Sequence, residues 1–131
     1  MVLFSKDKLS QLELGQQGEK WAEKHLKSKG IQIVEKNYRC PFGEIDLIGR
    51  DRERIIFVEV KTRRSEDYGG GEEAITPQKM EKMTRSALHY LQRYGRGGEN
   101  PSFALVVVTC KEGKLYGKLI EDAFDAAWGY G

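Results

Sequence analysis

Cysteine is scarce. Cys40 and Cys110 are the only two, far apart and without a CxxC motif. That argues against a disulfide framework and a cysteine-based zinc site, and makes a cytoplasmic protein with reduced thiols the expectation. His25 and His89 share no metal-like spacing. GxSxG, HExxH and GxGxxG are absent. No apolar run approaches the roughly 20 residues of a membrane span. The opening Met1-Val2-Leu3-Phe4-Ser5-Lys6 lacks the basic start and long apolar stretch of a secretory signal. Neither sign of charge dominates: 22 Lys and Arg face 20 Asp and Glu, for a net charge of +2. Global charge therefore says little about partners, and the placement of charge has to carry that question. No repeat of 20 to 50 residues is visible.

What is present is a chain of 131 residues, 39% hydrophobic and 32% charged. That length fits one domain, 1–131, large enough to bury about two-thirds of its unfolded surface. Periodicity and punctuation give the order α-β-β-β-α-β-β-α. A helix is expected over 9–29, ended by Gly30, with strands at 31–38, 44–48 and 55–63. A turn is expected at Cys40-Pro41-Phe42-Gly43, and loops at 51–54 and 65–71. A second helix runs over 77–94, with Thr76 as N-cap and Pro77 in its first turn. A continuous apolar strand at 103–109 reads as buried on both faces, followed by a turn at Glu112-Gly113 and a strand at 115–120. A short helix over 121–128 is expected to close the chain. The fold class is α/β, with a mixed sheet of about five strands flanked by helices.

The stretch 44–61 holds the most informative pattern. Alternate strand residues share a face. With a loop at 51–54, Asp46 falls opposite Glu59 and Glu44 opposite Lys61, all four on one face. Ile45, Leu47, Val58 and Val60 then share the other. Like charges directly opposed across a strand pair are destabilising and need compensation. A divalent cation supplies it, since hard oxygen donors suit Mg²⁺ together with a substrate phosphate. The plainer reading is a surface hairpin with a Glu44–Lys61 ion pair and two solvated acids. The first helix adds weight to the site. Its apolar stripe, walked as Leu12, Gly15, Glu19, Ala22 and Leu26, places Glu19 on the buried face, where a carboxylate is costly unless paired or metal-bound.

These residues resemble the PD-(D/E)xK nuclease superfamily, the fold of many restriction enzymes and archaeal Holliday-junction resolvases. The matching signature is a helix glutamate (Glu19), then Asp46, then Glu59-Val60-Lys61, with twelve residues between Asp46 and Glu59. More closely, the chain resembles the YraN-like family of small bacterial proteins. The blocks that carry this are Gly15-Gln16-Gln17-Gly18-Glu19, Asn37-Tyr38-Arg39, Gly43-Glu44-Ile45-Asp46-Leu47-Ile48, Phe57-Val58-Glu59-Val60-Lys61-Thr62-Arg63 and Thr76-Pro77-Gln78-Lys79. The resemblance implies a restriction-endonuclease-like core and a Mg²⁺- or Mn²⁺-dependent phosphodiester hydrolase. Asp46 and Glu59 would be metal ligands, Glu19 would complete the metal site, and Lys61 would stabilise the phosphate or orient water. Gln78 and Lys79 would lie nearby. Two positions depart from the pattern: Ile45 stands where the superfamily has its nominal proline, and Ala104 where the family often has an aspartate.

Nucleic acid, DNA above all, is the expected partner. The second helix carries Lys79, Lys82, Arg85, His89, Arg93 and Arg96 opposite a stripe of Met80, Met83, Ala87, Leu91 and Tyr94. Such a basic row can track phosphates, although many such rows are ordinary solvated faces. Arg39, Arg63 and Arg64 could flank a phosphate path, and Tyr68 could stack on an unpaired base. Trp21 and Trp128 read as packing residues. The late strands offer an interface for a homodimer suited to two-fold DNA junctions. The rival reading is a nucleic-acid-binding accessory module without efficient catalysis; a third is an interaction scaffold whose acids are structural.

Overall fold

A computed structural model of the chain describes residues 9–52, 54–65 and 75–125. Helix α1 (Gln11–Ser28) starts with a reciprocal cap: the Ser10 hydroxyl accepts from Glu13 N–H, and the Glu13 carboxylate accepts from Ser10 N–H. These bonds satisfy two donors that a helix start leaves orphaned. Strands β1 (Gln32–Cys40), β2 (Gly43–Asp51) and β3 (Arg54–Arg64) follow. Helix α2 (Pro77–Tyr94) opens as expected, the Thr76 hydroxyl accepting from Lys79 N–H. Strands β4 (Asn100–Lys111) and β5 (Lys114–Ile120) complete the fold.

The sheet runs β1-β2-β3-β4-β5 in space as in sequence. Only β3 and β4 are parallel, and α2 supplies the crossover that a parallel pair requires. The fold class is therefore α/β with a five-stranded mixed sheet, and the two helices cover opposite faces. Ala22 and Leu26 of α1 pack with Leu47, Ile56, Val58, Ala104, Val106 and Val108. Met83, Ala87 and Tyr90 of α2 pack with Ile45, Phe57, Phe103, Leu105 and Val107. The central strands β3 and β4 thus bury side chains on both faces, which explains their unbroken apolar sequence.

Four expectations are corrected. The β2–β3 pairing follows the expected register, but Asp51 pairs with Arg54, so the connection is tighter than a four-residue loop. Ile45 and Leu47 lie on opposite faces, in different cores. Opposite Asp46, between them, Asn37 takes a left-handed φ of 52°, flanked by the pairs Lys36↔Leu47 and Tyr38↔Ile45. The buried line of α1 is Leu14, Gly18, Ala22 and Leu26, while Leu12 is 73% exposed. Glu19 therefore stands at the border of the buried face. Last, residues 121–125 form no helix. Asp122 has φ 50°, Ala123 N–H donates to the Phe103 carbonyl, and the Phe124 ring stacks on Phe103 at 4.4 Å. The rest of that expected helix, with Trp128, lies outside the described residues, as do Tyr68 and Gly69-Gly70-Gly71.

Gly18 sets how closely α1 approaches the sheet. A Cβ there would lie 1.9 Å from Thr62 Oγ1 of β3. This close approach brings the next residue, Glu19, to the sheet. Further along, the Trp21 ring stacks on His25 at 4.8 Å and leaves no room for a side chain at Gly117 of β5. Trp21 is thus a packing residue.

Candidate functional site

The ladder between β2 and β3 ends at Leu47↔Val58. One residue further, the Asp46 side chain replaces it: Oδ2 accepts from Val60 N–H at 2.7 Å. An acid is thereby fixed at the point where the two strands part. Burial pushes its carboxyl up to about 7; the Val60 bond opposes this, and the charges of Glu59, Glu19 and Glu44 add to it. Burial also raises Glu19, against a side-chain hydrogen bond from Asn37, with Glu44 and Glu59 pushing in the same direction as burial. Helix α1, β2 and β3 thus bring four carboxylates within reach of one another's charge. Desolvation and like charge both disfavour ionisation, and among the described residues no arginine answers Asp46.

The other three acids of this cluster have partners. Glu59 lies 3.2 Å from the Lys79 ammonium in the first turn of α2. Glu44 accepts from Arg39 Nε at 3.0 Å, its neighbour across the β1–β2 hairpin, rather than facing Lys61. Glu19 takes the Asn37 amide. Among the described residues, no three His, Cys, Asp or Glu side chains are gathered tightly enough to form a ready-made metal shell. The donor chemistry and the excess negative charge around Asp46 nonetheless suit a hard divalent cation. The residues that could hold one are Asp46, Glu59 and Glu19.

Lys61 is exposed and has no ion-pair partner among the described residues. It lies two residues past Glu59, on the same side of β3. Gln78 is exposed at the start of α2, beside Lys79. The remaining basic residues divide. Arg39 and Lys82 are exposed near the β1–β2 turn. Arg85 pairs with Glu81 at 3.0 Å. Arg63 Nε donates to Thr109 Oγ1 at 3.2 Å, and Arg64 donates to Gln11 and to the Leu9 carbonyl, tying β3 to the start of α1. Arg63 and Arg64 are thus engaged structurally, as Arg39 is by Glu44 and Arg85 by Glu81. The α2 row is interrupted too, because Lys79 turns to Glu59 and His89 bonds the Tyr38 hydroxyl.

Glu44 joins the cluster, as its place on one face with Asp46 and Glu59 predicts, but it pairs with Arg39 instead of Lys61. Asn37 is the member that sequence reasoning missed. Asn37 carried a signal of its own: asparagine is enriched in left-handed conformations, and one inside a strand marks an irregularity.

The fold and site define a small α/β domain with an acidic centre where two central strands diverge. The chain belongs to the uncharacterised protein family UPF0102, whose model matches residues 18–109. That range spans Glu19, Asp46, Glu59 and Lys61. A UPF0102 protein of Desulfosudis oleivorans is 46% identical over 114 residues, covering 87% of this chain and 91% of that protein. One from Syntrophus aciditrophicus is 43% identical over 118 residues, covering 90% and 93%. One from Desulfitobacterium hafniense is 48% identical over 101 residues, covering 76% and 83%. No described helix is long and apolar enough to cross a membrane.

Proposed function

We propose that this protein is a metal-dependent endonuclease-like hydrolase of phosphodiester bonds, acting on DNA of branched or otherwise structured form. The observation that carries this reading is Asp46: a buried acid, fixed by Val60 N–H, surrounded by carboxylates and raised to about 7. Perturbed acids of this kind concentrate at functional sites. The resemblance to the PD-(D/E)xK superfamily supports the same residues by position.

In this reading Asp46, Glu59 and Glu19 hold Mg²⁺ or Mn²⁺. A divalent cation there supplies Lewis acidity for activating water and neutralises charge on the phosphate. The chain's own residues do the rest. Val60 N–H and the Asn37 amide orient Asp46 and Glu19. Lys61, exposed two residues past Glu59, holds a phosphate oxygen. Arg39, Lys82 and Arg85 receive neighbouring phosphates, and such contacts make binding salt-dependent.

The test is cleavage of labelled single-stranded, duplex, flap and four-way-junction DNA with Mg²⁺ or Mn²⁺. The expected result is cleavage that chelator abolishes and that Lys61→Ala reduces by about 100-fold or more, the scale of losing an electrostatic stabiliser of the transition state. A second reading is a binding module on the same fold without efficient catalysis. It is favoured by the Lys79 ammonium on Glu59 and by the absence of a closed ligand shell among the described residues. Salt-sensitive binding with no scission of any of these substrates would select it.

A further inference from the structure

The β1–β2 turn holds only Pro41 and Phe42 between the paired Cys40 and Gly43. Phe42 at its tip is 41% exposed, and Leu88 on the facing surface of α2 is 44% exposed. Together with Arg85, His89 and Gln92 they line a cavity of about 200 Å³. The Arg85 guanidinium carbon lies 6.0 Å from the Phe42 ring centre, and the His89 ring meets Phe42 edge-on at 6.2 Å. Lys82 packs beside Gly43, next to this turn.

We propose that this cavity between the β1–β2 turn and α2 is a binding site for one unpaired nucleobase of the nucleic-acid substrate. The proposal rests on the hydrolase reading and names its substrate class: strands with bases out of the double helix. Pockets for drug-sized ligands run to about 300–1,000 Å³, so a cavity of about 200 Å³ suits one flat ring system. Phe42 gives an aromatic face for stacking and Leu88 an apolar wall. Gln92 and His89 bring hydrogen-bonding groups to the rim. Arg85 and Lys82 meet the phosphates on either side, so the charge is complementary to a backbone entering the site. The path onward is short. Three residues separate Phe42 from Asp46, and the four steps span about 13 Å at the usual strand rise. A base inside a duplex is stacked and paired on every side, so it cannot enter this cavity without being extruded. The site therefore selects single-stranded segments, flaps and open junction centres over intact duplex.

The experiment is fluorescence-anisotropy binding of labelled oligothymidylate, the matching oligouridylate and a blunt duplex, all in chelator so that no turnover is needed. Wild type, Phe42→Ala and Phe42→Trp are compared, with thermal unfolding of each as a fold control. The expected result is single-strand binding that Phe42→Ala weakens about tenfold, within the range for loss of one base–aromatic stack. Phe42→Trp retains the affinity, and duplex affinity is the same in all three proteins. Equal loss for the DNA and RNA strands supports recognition of the base itself, and loss on DNA alone supports recognition of a DNA strand. The proposal is overturned by absent single-strand binding in wild type, by unchanged binding in folded Phe42→Ala, or by a Phe42→Trp defect as large as that of Phe42→Ala. It is also overturned if Phe42→Ala changes only self-association, which would make the turn a contact between copies. Metal-dependent duplex cleavage without single-strand binding would remove this site and leave the hydrolase reading standing.

Discussion

Two ends of one hairpin treat the same residue type in opposite ways. At the closed end of β2–β3, the Asp51 carboxylate takes two bonds from Arg54, and these hold it below its ordinary range. Nearby, burial pushes Glu99 up, but Arg50 and the Arg96 N–H outweigh it, and the net shift is downward. At the open end, five residues earlier in β2, Asp46 is buried with no guanidinium partner among the described residues and is pushed up to about 7. The strand and the residue type are the same. The difference is whether the fold supplies a cation along with the desolvation. Where it does, acids hold the hairpin closed. Where it does not, the fold keeps one destabilised acid, Asp46, in place, where the proposed function would put a cation from outside.

Removing the Asp46 charge should have the largest effect on stability. Its pKa rises from 3.8 toward about 7 on folding. Between those values the native state binds more protons than the unfolded state, so stability falls as pH rises through that window. Asp46→Asn keeps an oxygen for Val60 N–H and removes the charge. It should therefore stabilise the protein at pH 8 by up to about 4 kcal/mol, since each pKa unit corresponds to about 1.4 kcal/mol. At pH 4 wild type and variant should converge. Denaturant unfolding across pH reads this directly, and a destabilised variant at pH 8 would erase the contrast between the two ends.

Moving α1 off the sheet tests how the open end is assembled. Gly18→Val puts atoms where Thr62 already stands. Overpacking of this kind costs about 1–3 kcal/mol. It should also draw Glu19 away from Asp46 and lower the Asp46 midpoint. An undisturbed Tm in Gly18→Val would show that the close approach is not tight.

The smallest change is expected at the closed end. Asp51→Asn loses a partly exposed ion pair, and such pairs contribute about 0.2–1 kcal/mol. Its sign is opposite to that of Asp46→Asn: the Asp51 contribution is present above its unfolded pKa and fades as pH falls. Equal and same-signed effects of the two substitutions at pH 8 would contradict the comparison.

Much of this was legible in the residues. The β2–β3 register followed from placing the turn at 51–54, with the apolar alternation of Leu47 and Val58 in support, because a one-residue slip would have buried charge and exposed the core. Thr76-Pro77 fixed the start of α2. Other features were set by tertiary contacts that local pattern does not encode. The α1 stripe is displaced from the one walked through Leu12, because Gly18, an inconspicuous residue, makes the closest approach. The face change between Ile45 and Leu47 accompanies a left-handed Asn37 in the neighbouring strand. Arg63 and Arg64 look free in sequence and are engaged by Thr109, Gln11 and Leu9, which only the fold brings near. Glu19, Asp46 and Glu59 do share one electrostatic neighbourhood, but Glu19 reaches it from the edge of the helix's buried face.

The most direct test of a cation-awaiting acidic centre is carbon-detected NMR titration of the Asp46 carboxyl with and without Mg²⁺. The account predicts a midpoint near 7 in the metal-free protein and a clear downward shift on adding Mg²⁺. A midpoint near 4, or one that Mg²⁺ leaves unmoved, would contradict it.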